Sequence, residues 1–312
     1  MILCLGTTPA VQRTMTFRRL LVDDVNRAIG IAQYASGKSI NAARVLRALG
    51  KEVLATGFAG GDSGKFLRTD LDRAGIAHDF LEVTPPTRLC ITVVDEEAGT
   101  ATELIEEAAG VEQRAYAKLL REMDANLWRA KAVILSGSLP PGAPADLYAR
   151  CVERCNQEHV PVVLDARGQA LAHALACKPL IVKPNREELA ATLGMPVDSE
   201  DALRTAMQKL VELGAQWIAV TLGKEGAMVS NGQDFWRILA PAVKAVSAIG
   251  SGDSFAAGLA AGIAQQEEIP QACALASACG AANALTAFAG HINVSDVKTL
   301  LSQIRVERLK QR

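Results

Sequence analysis

Charge of one sign, a long apolar run and paired cysteines are all scarce in this chain, and each scarcity removes a class of function. Lys and Arg number 33 against 34 Asp and Glu, a formal net charge of −1 over 312 residues. Binding to a nucleic-acid backbone rests on an excess of cationic contacts, so no nucleic-acid partner is expected. The most apolar stretch, residues 255–264, is stopped by Gln265-Gln-Glu-Glu268, far short of the roughly 20 residues that a membrane span needs. No membrane partner is expected either. The opening Met1-Ile-Leu-Cys-Leu-Gly-Thr7 has no basic region and no long apolar core of a secretory leader, and it reads as a buried strand. The seven cysteines, at 4, 90, 151, 155, 177, 273 and 279, are odd in number and scattered. They form no disulfide framework and are expected to be reduced, which gives a soluble, cytoplasmic chain. Cys151 and Cys155 share a helix face, but no histidine or second pair is placed in sequence to complete a metal site with them. No tandem repeat or low-complexity tract breaks the chain.

What is present is a large apolar fraction, 49%, enough for one sizeable α/β core with a small accessory unit. From residue 111 onward, short continuous apolar runs at 132–135, 161–165, 180–182 and 217–221 alternate with helical periods. With residues 2–7 and 53–58 they predict a parallel sheet covered by helices on both faces. Residues 12–33 show no helical period, and residues 87–95 and 102–105 read as a hairpin about Glu96-Glu-Ala-Gly-Thr100. The expected division is a core of 1–11, 35–86 and 108–312, with 12–34 and 87–107 as a separate small β-sheet. The last part, from residue 252, is expected to be largely helical.

The stretch with the strongest chemical content is Val246-Ser-Ala-Ile-Gly-Ser-Gly-Asp-Ser-Phe-Ala-Ala-Gly258, a glycine turn running into a helix. Gly250 and Gly252 allow a tight turn whose N–H groups face an anion, with the positive end of the helix behind them. Asp253 lies in the first helical turn. It either complements the helix N-terminus or accepts a proton from a hydroxyl attacking a phosphate. Asn185 and Glu188, three apart at a helix start, likewise carry two readings: a capping box, or an outer-sphere grip on a hydrated Mg²⁺. Gly57 to Lys65 imitates a P-loop, but Phe66 stands where a metal-binding Ser or Thr is required. It reads as a strand-to-helix turn. In a parallel sheet ligands gather at the carboxyl ends of strands, and Ser136, Asp165, Lys183 and Thr221 each begin or close such a junction.

Eight motifs in order resemble those of the ribokinase-like (PfkB) carbohydrate kinases, nearest to the branch of tagatose-6-phosphate kinase and 1-phosphofructokinase. They are Pro9-Ala-Val-Gln-Arg-Thr14, Gly37-Lys-Ser-Ile-Asn-Ala-Ala-Arg44, Gly57-Phe-Ala-Gly-Gly61, Thr87-Arg-Leu-Cys-Ile91, Ser136-Gly-Ser-Leu-Pro-Pro-Gly142, Lys183-Pro-Asn-Arg-Glu-Glu-Leu189, Ser247-Ala-Ile-Gly-Ser-Gly-Asp-Ser254 and Gly290-His-Ile-Asn293. The resemblance implies a three-layer ribokinase-like core and a small β lid over the sugar, often paired with a second lid as a homodimer. It implies an ATP-dependent kinase of a phosphorylated ketohexose. Asp253 would be the base, and Gly250, Ser251 and Gly252 the anion hole. Asn185 and Glu188 would organise Mg²⁺ through water. Lys183, Asn185, Thr221, Gly223, Gly226 and Asn283 would line the nucleotide side. Gln12, Gly37, Lys38, Asn41, Arg88 and Ser136 would hold the phosphosugar.

The departures from the family pattern lie on the acceptor side. Its Asn-Pro-Ala-x-Asp becomes Thr8-Pro-Ala-Val-Gln12, and the two glycines flanking the Gly-Lys pair become Ser36 and Ser39. A kinase of another sugar or nucleoside, and a non-catalytic sugar-sensing relative, are the competing readings. Arg88 argues against the first, since a bare sugar needs no guanidinium; intact Asp253, Asn185 and Glu188 argue against the second. The position of Asp253 at a helix N-terminus favours its charged form and so predicts a weak base. A loose phosphoryl-transfer transition state, in which the proton leaves late, tolerates that weakness.

Overall fold

The computed structural model describes residues 1–310. Ten strands make the main sheet: β1 (Ile2–Gly6), β4 (Val53–Ala59), β5 (Ala77–Glu82), β8 (Ala132–Ser136), β9 (Val162–Asp165), β10 (Ile181–Val182), β11 (Trp217–Thr221), β12 (Ala227–Ser230), β13 (Phe235–Leu239) and β14 (Arg305–Leu309). Four others, β2 (Ala10–Phe17), β3 (Gly30–Ser36), β6 (Arg88–Asp95) and β7 (Thr100–Ile105), make a separate sheet ordered β3-β2-β6-β7. The helices are α1 (Lys38–Ala48), α2 (Gly61–Arg73), α3 (Gln113–Leu127), α4 (Leu147–Gln157), α5 (Gly168–Leu175), α6 (Arg186–Leu193), α7 (Glu200–Glu212), α8 (Ser251–Ala264), α9 (Ile269–Ala284) and α10 (Val294–Leu301).

The main sheet runs β14-β13-β12-β11-β10-β9-β8-β1-β4-β5, and every pairing from β11 to β5 is parallel. Alternate residues of β1 explain the layers. Leu3 and Leu5 pack with α3 to α7 residues such as Leu119, Leu147 and Leu203, while Ile2 and Cys4 pack with α1, α2, α8 and α9 residues such as Ile40, Leu67 and Leu259. A strand buried on both faces has no polar side to show, which is why these runs are continuously apolar. The helices α8 and α9 meet closely through small residues: a Cβ on Gly258 would lie 2.7 Å from the Ala276 Cα.

Two features differ from the sequence expectation. Beyond β11 the sheet continues with three antiparallel strands, β12, β13 and β14, so the sheet is not parallel throughout, and β14 interrupts the otherwise helical C-terminal part. Arg305 to Leu309 carries charges on an edge strand, a pattern that protects an open edge but gives little apolar signal. The small sheet begins earlier than expected, because β2 already pairs with β3 and β6 at Ala10. Gly57 to Lys65 is the end of β4 and the start of α2, as its failed P-loop pattern predicts. Among the described residues no helix is long and apolar enough to cross a membrane.

The chain leaves β1 toward β4 and β5 on one side, then returns to β8 and beyond on the other. The reversal opens a crevice at the carboxyl ends of β1 and β8, the place where open α/β sheets bind ligands. The starts of β2 at Ala10 and of β6 at Arg88 bring the small sheet to its rim.

Candidate active site

Gly250 is the N-cap of α8 in a left-handed conformation, φ 82°. A Cβ there would meet the Ala289 Cβ at 2.7 Å and the Gly290 N at 2.9 Å, so both the turn and the packing require glycine. The N–H groups of Gly250, Gly252 and Asp253 have no partner among the described residues, whereas that of Ser251 closes a turn on the Ala248 carbonyl at 3.2 Å. Of the three residues expected to form an anion hole, Ser251 thus has its N–H engaged within the chain. The Lys183 Nζ lies 3.6 Å from where a Gly252 Cβ would stand.

Lys183 follows β10 and is 3% exposed. Its charge is met by Asp165 at the end of β9, with Nζ 3.2 Å from Oδ2, and Asp165 also accepts a 3.0 Å hydrogen bond on Oδ1 from the Lys38 Nζ. Burial works against the Asp165 charge, but Lys183 and Lys38 outweigh it and hold the carboxyl below its ordinary range. Lys38, at the start of α1, is also 3.7 Å from the Glu188 Oε1. Burial opposes its charge too, yet Asp165, Asp253 and Glu188 together raise its pKa. Asp165 was visible in sequence only as a strand-end carboxylate; its role as the clamp of two lysines depends on β9 lying beside β10 and across from α1.

Asp253 is 9% exposed. Desolvation pushes its pKa up from 3.8 to about 6, Asp165 adds to the rise, and Lys38, Lys183 and a hydrogen bond from Asn41 restrain it. The value is raised and not depressed as the helix position had suggested, because the loss of solvent exceeds what the two lysines and the Asn41 amide restore. The Asn41 Nδ2 donates to the Asp253 Oδ2 at 2.7 Å, and the Ser36 Oγ donates to the Asn41 Oδ1 at 3.0 Å.

Asn185 is the N-cap of α6 and closes a reciprocal capping box. Its Oδ1 accepts from the Glu188 N–H at 2.7 Å, and the Glu188 Oε2 accepts from the Asn185 N–H at 3.0 Å. The Glu188 Oε1 remains turned toward Lys38.

A cavity of about 230 Å³ opens beside these groups, lined among others by Thr8, Lys38, Ser39, Arg88, Ser136 and Asp165. The Ser136 Oγ is buried and has no hydrogen-bond partner. Arg88 donates through Nη1 to the Glu106 carbonyl and through Nη2 to the Thr8 carbonyl, both at 3.1 Å, so it ties the small sheet to the β1–β2 loop. A wider groove of about 680 Å³ adjoins the cavity across Ser138, Arg167 and Glu188, with Ala143, Ala145, Ala170 and Ala191 among its walls.

The profile of the pfkB family of carbohydrate kinases matches residues 1–293. The chain belongs to that family. A Staphylococcus aureus protein with a provisional phosphofructokinase name is 31% identical over all of both chains, with a TM-score of 0.82. Phosphofructokinase-2 of Escherichia coli, solved as a point mutant, is 24% identical over 97% of this chain and 98% of its own, TM-score 0.90. A protein provisionally named 1-phosphofructokinase from Thermotoga maritima is 24% identical over 99% of each chain, TM-score 0.90.

Not every expected residue of this kinase reaches the crevice. Gln12 is 5% exposed and its Nε2 donates to the Thr92 Oγ1 at 2.8 Å inside the small sheet, so it does not line the cavity. Asn283, expected on the nucleotide side, is fully buried and faces no ligand space. Its Oδ1 accepts from Ser254 Oγ and the Gly290 N–H, and its Nδ2 donates to the Ile249 carbonyl, which holds the Gly250 turn in place. Gly37, φ 110°, forms the turn that presents Lys38. Thr221 bridges to Asn185, and Gly223 and Gly226 with positive φ shape the turn that follows. Ser39 and Arg167 line the cavity and were not among the expected contacts.

Proposed function

We propose that this kinase transfers the terminal phosphoryl group of ATP to a hydroxyl of a phosphorylated ketohexose, of the tagatose 6-phosphate or fructose 1-phosphate or 6-phosphate type. The carrying observation is Asp253, a buried carboxyl with a pKa of about 6, set in the same helix turn as unpartnered N–H groups. At neutral pH it is ionised, yet basic enough to take the proton of an attacking hydroxyl. The N–H groups of Gly250 and Gly252 and the Lys183 ammonium neutralise charge on the transferring group, the dominant contribution in phosphoryl transfer. Asp165 keeps both lysines oriented. The Thr221, Gly223 and Gly226 turn receives the nucleotide; a ribokinase from Arabidopsis thaliana, 20% identical, was solved with ribose and ATP.

On the acceptor side, Arg88 spends two of its five N–H donors on carbonyls, which leaves others for the sugar phosphate. Lys38, Ser39, Ser136 and Arg167 complete the polar wall. The E. coli phosphofructokinase-2 was solved with fructose-6-phosphate, which supports this class of acceptor.

The acceptors that Asn185 and Glu188 offer a hydrated Mg²⁺ are oxygens, and the capping box uses only the Oε2 of Glu188, leaving Oε1 at 3.7 Å from the Lys38 Nζ. Asn185 and Glu188 would hold the ion through water, and it would neutralise phosphate charge. The small sheet leaves Ile29 and Ile31 exposed at its β3 edge and Leu104 and Ile105 exposed at its β7 edge, which supports pairing with a second copy as a homodimer. The seven unpaired cysteines support a cytoplasmic setting.

The test is Asp253→Ala in an ADP-release assay. The reading expects kcat to fall ~10²-fold or more with nucleotide binding nearly unchanged; a variant within a few-fold of wild type would remove Asp253 from the chemistry.

A further inference from the structure

Ser36 closes β3 and Asn41 sits in the first turn of α1, with the Gly37 turn between them. Both side chains are buried, 4% and 5% exposed. The backbone of Asn41 is fixed from the other side by the Gly290 loop, where a Cβ on Gly290 would lie 2.7 Å from the Asn41 Cα. Asn41 therefore has little freedom except to rotate its amide.

That rotation matters because the two ends of an amide are opposite in kind. The NH₂ end donates and the carbonyl end accepts, while an ionised carboxylate accepts only. With Nδ2 toward Asp253, at 2.7 Å, the ionised base is stabilised. With Oδ1 toward Asp253, two acceptors would face each other unless the carboxyl were protonated. The hydroxyl of Ser36, donating to Oδ1 at 3.0 Å, holds the first orientation. It also leaves the Asp253 Oδ1 as the one carboxylate oxygen with no hydrogen bond among the described residues.

We propose that Ser36 and Asn41 are a positioning pair, in which the Ser36 hydroxyl fixes the Asn41 amide so that it grips one oxygen of Asp253 and presents the other to the acceptor hydroxyl. The inference rests on the reading of Asp253 as the base. It assigns Asn41 to the base rather than to the sugar, and gives a purpose to a serine where the family pattern has glycine. The other charged groups acting on Asp253 are Lys38 from α1, Lys183 from the segment after β10 and Asp165 from β9. All three are untouched by a change at Ser36.

The experiment is the pH profile of kcat for wild type, Ser36→Ala and Ser36→Thr, with the KM for ATP and the melting temperature recorded for each. Loss of the lock is expected to move the acid limb of Ser36→Ala upward by about one pH unit, the size of one weakened hydrogen bond to a carboxylate. The deficit then approaches tenfold at acid pH and vanishes above about pH 8, with the KM for ATP unchanged. Ser36→Thr restores the hydroxyl and returns the limb toward wild type. Should Ser36→Ala fail to fold, Ser36→Gly carries the same expectation. A wild-type acid limb left unmoved in the hydroxyl-free variant, or a deficit equal at every pH, overturns the pair alone. A wild type with no acid limb at all removes the base reading and the inference with it.

Discussion

Replacing Asp253 by asparagine separates the cost of burying a charge from its use in catalysis. The native carboxyl titrates at about 6, against an ordinary value of 3.8. As pH rises from 3.8 the unfolded chain ionises freely while the folded one resists, so this group lowers stability progressively until the pH passes about 6. A shift of about two units at about 1.4 kcal/mol each amounts to about 3 kcal/mol, an order-of-magnitude figure because Lys38, Lys183 and Asp165 relax together with it. Asparagine keeps an acceptor for the Asn41 amide and carries no charge, so it is expected to recover much of that loss. In a chain of this length that is a rise in melting temperature of about 4–5 °C at neutral pH. Differential scanning fluorimetry of both proteins from acid to alkaline pH is the assay. The difference should be near zero at pH 4, grow between pH 4 and 6, and level off above. A difference that is flat with pH, or that shows the variant less stable at neutral pH, would refute burial as the cause of the raised pKa.

Two further predictions concern the rim of the site. Glu188→Gln keeps an N3 residue able to complete the capping box, so its melting temperature is expected to stay near wild type while the Mg²⁺ concentration for half-maximal activity rises; an unchanged Mg²⁺ titration would leave Glu188 as a cap and nothing more. Gln12→Asp removes the donor to Thr92 and buries a charge at a position that is 5% exposed and does not line the cavity; the melting temperature is expected to fall with no gain in kcat/KM on fructose 1-phosphate, fructose 6-phosphate or tagatose 6-phosphate, and a gain on any of them would show that position 12 reaches the sugar.

The continuous apolar runs made β1, β4, β8, β9, β10 and β11 legible, because strands buried on both faces leave a local mark. The strands β12, β13 and β14 were not, since they are short or charged and owe their pairing to partners up to the far end of the chain. The Gly250–Gly252 turn and Asp253 at the start of α8 could be located from sequence by their spacing. Their environment could not: a helix N-terminus is a local property, whereas the burial that raises Asp253, and the charges of Lys38, Asp165 and Lys183 that act on it, depend on segments distant in the chain. The same limit explains Asn283 and Gln12. Each was placed by motif on a ligand-facing side, and each turned out to satisfy buried partners that only the tertiary structure supplies. Asn185 and Glu188 were given two readings in sequence, and the capping box is present; it uses one oxygen of Glu188, while the other lies 3.7 Å from the Lys38 Nζ.

The most direct test of the account is ADP release by the wild-type protein with Mg-ATP against a panel of phosphorylated and free ketohexoses. The account predicts turnover with at least one phosphorylated ketohexose, dependent on Asp253 and much weaker with the corresponding free sugar. Turnover confined to unphosphorylated sugars or nucleosides, or none with any acceptor, would contradict it.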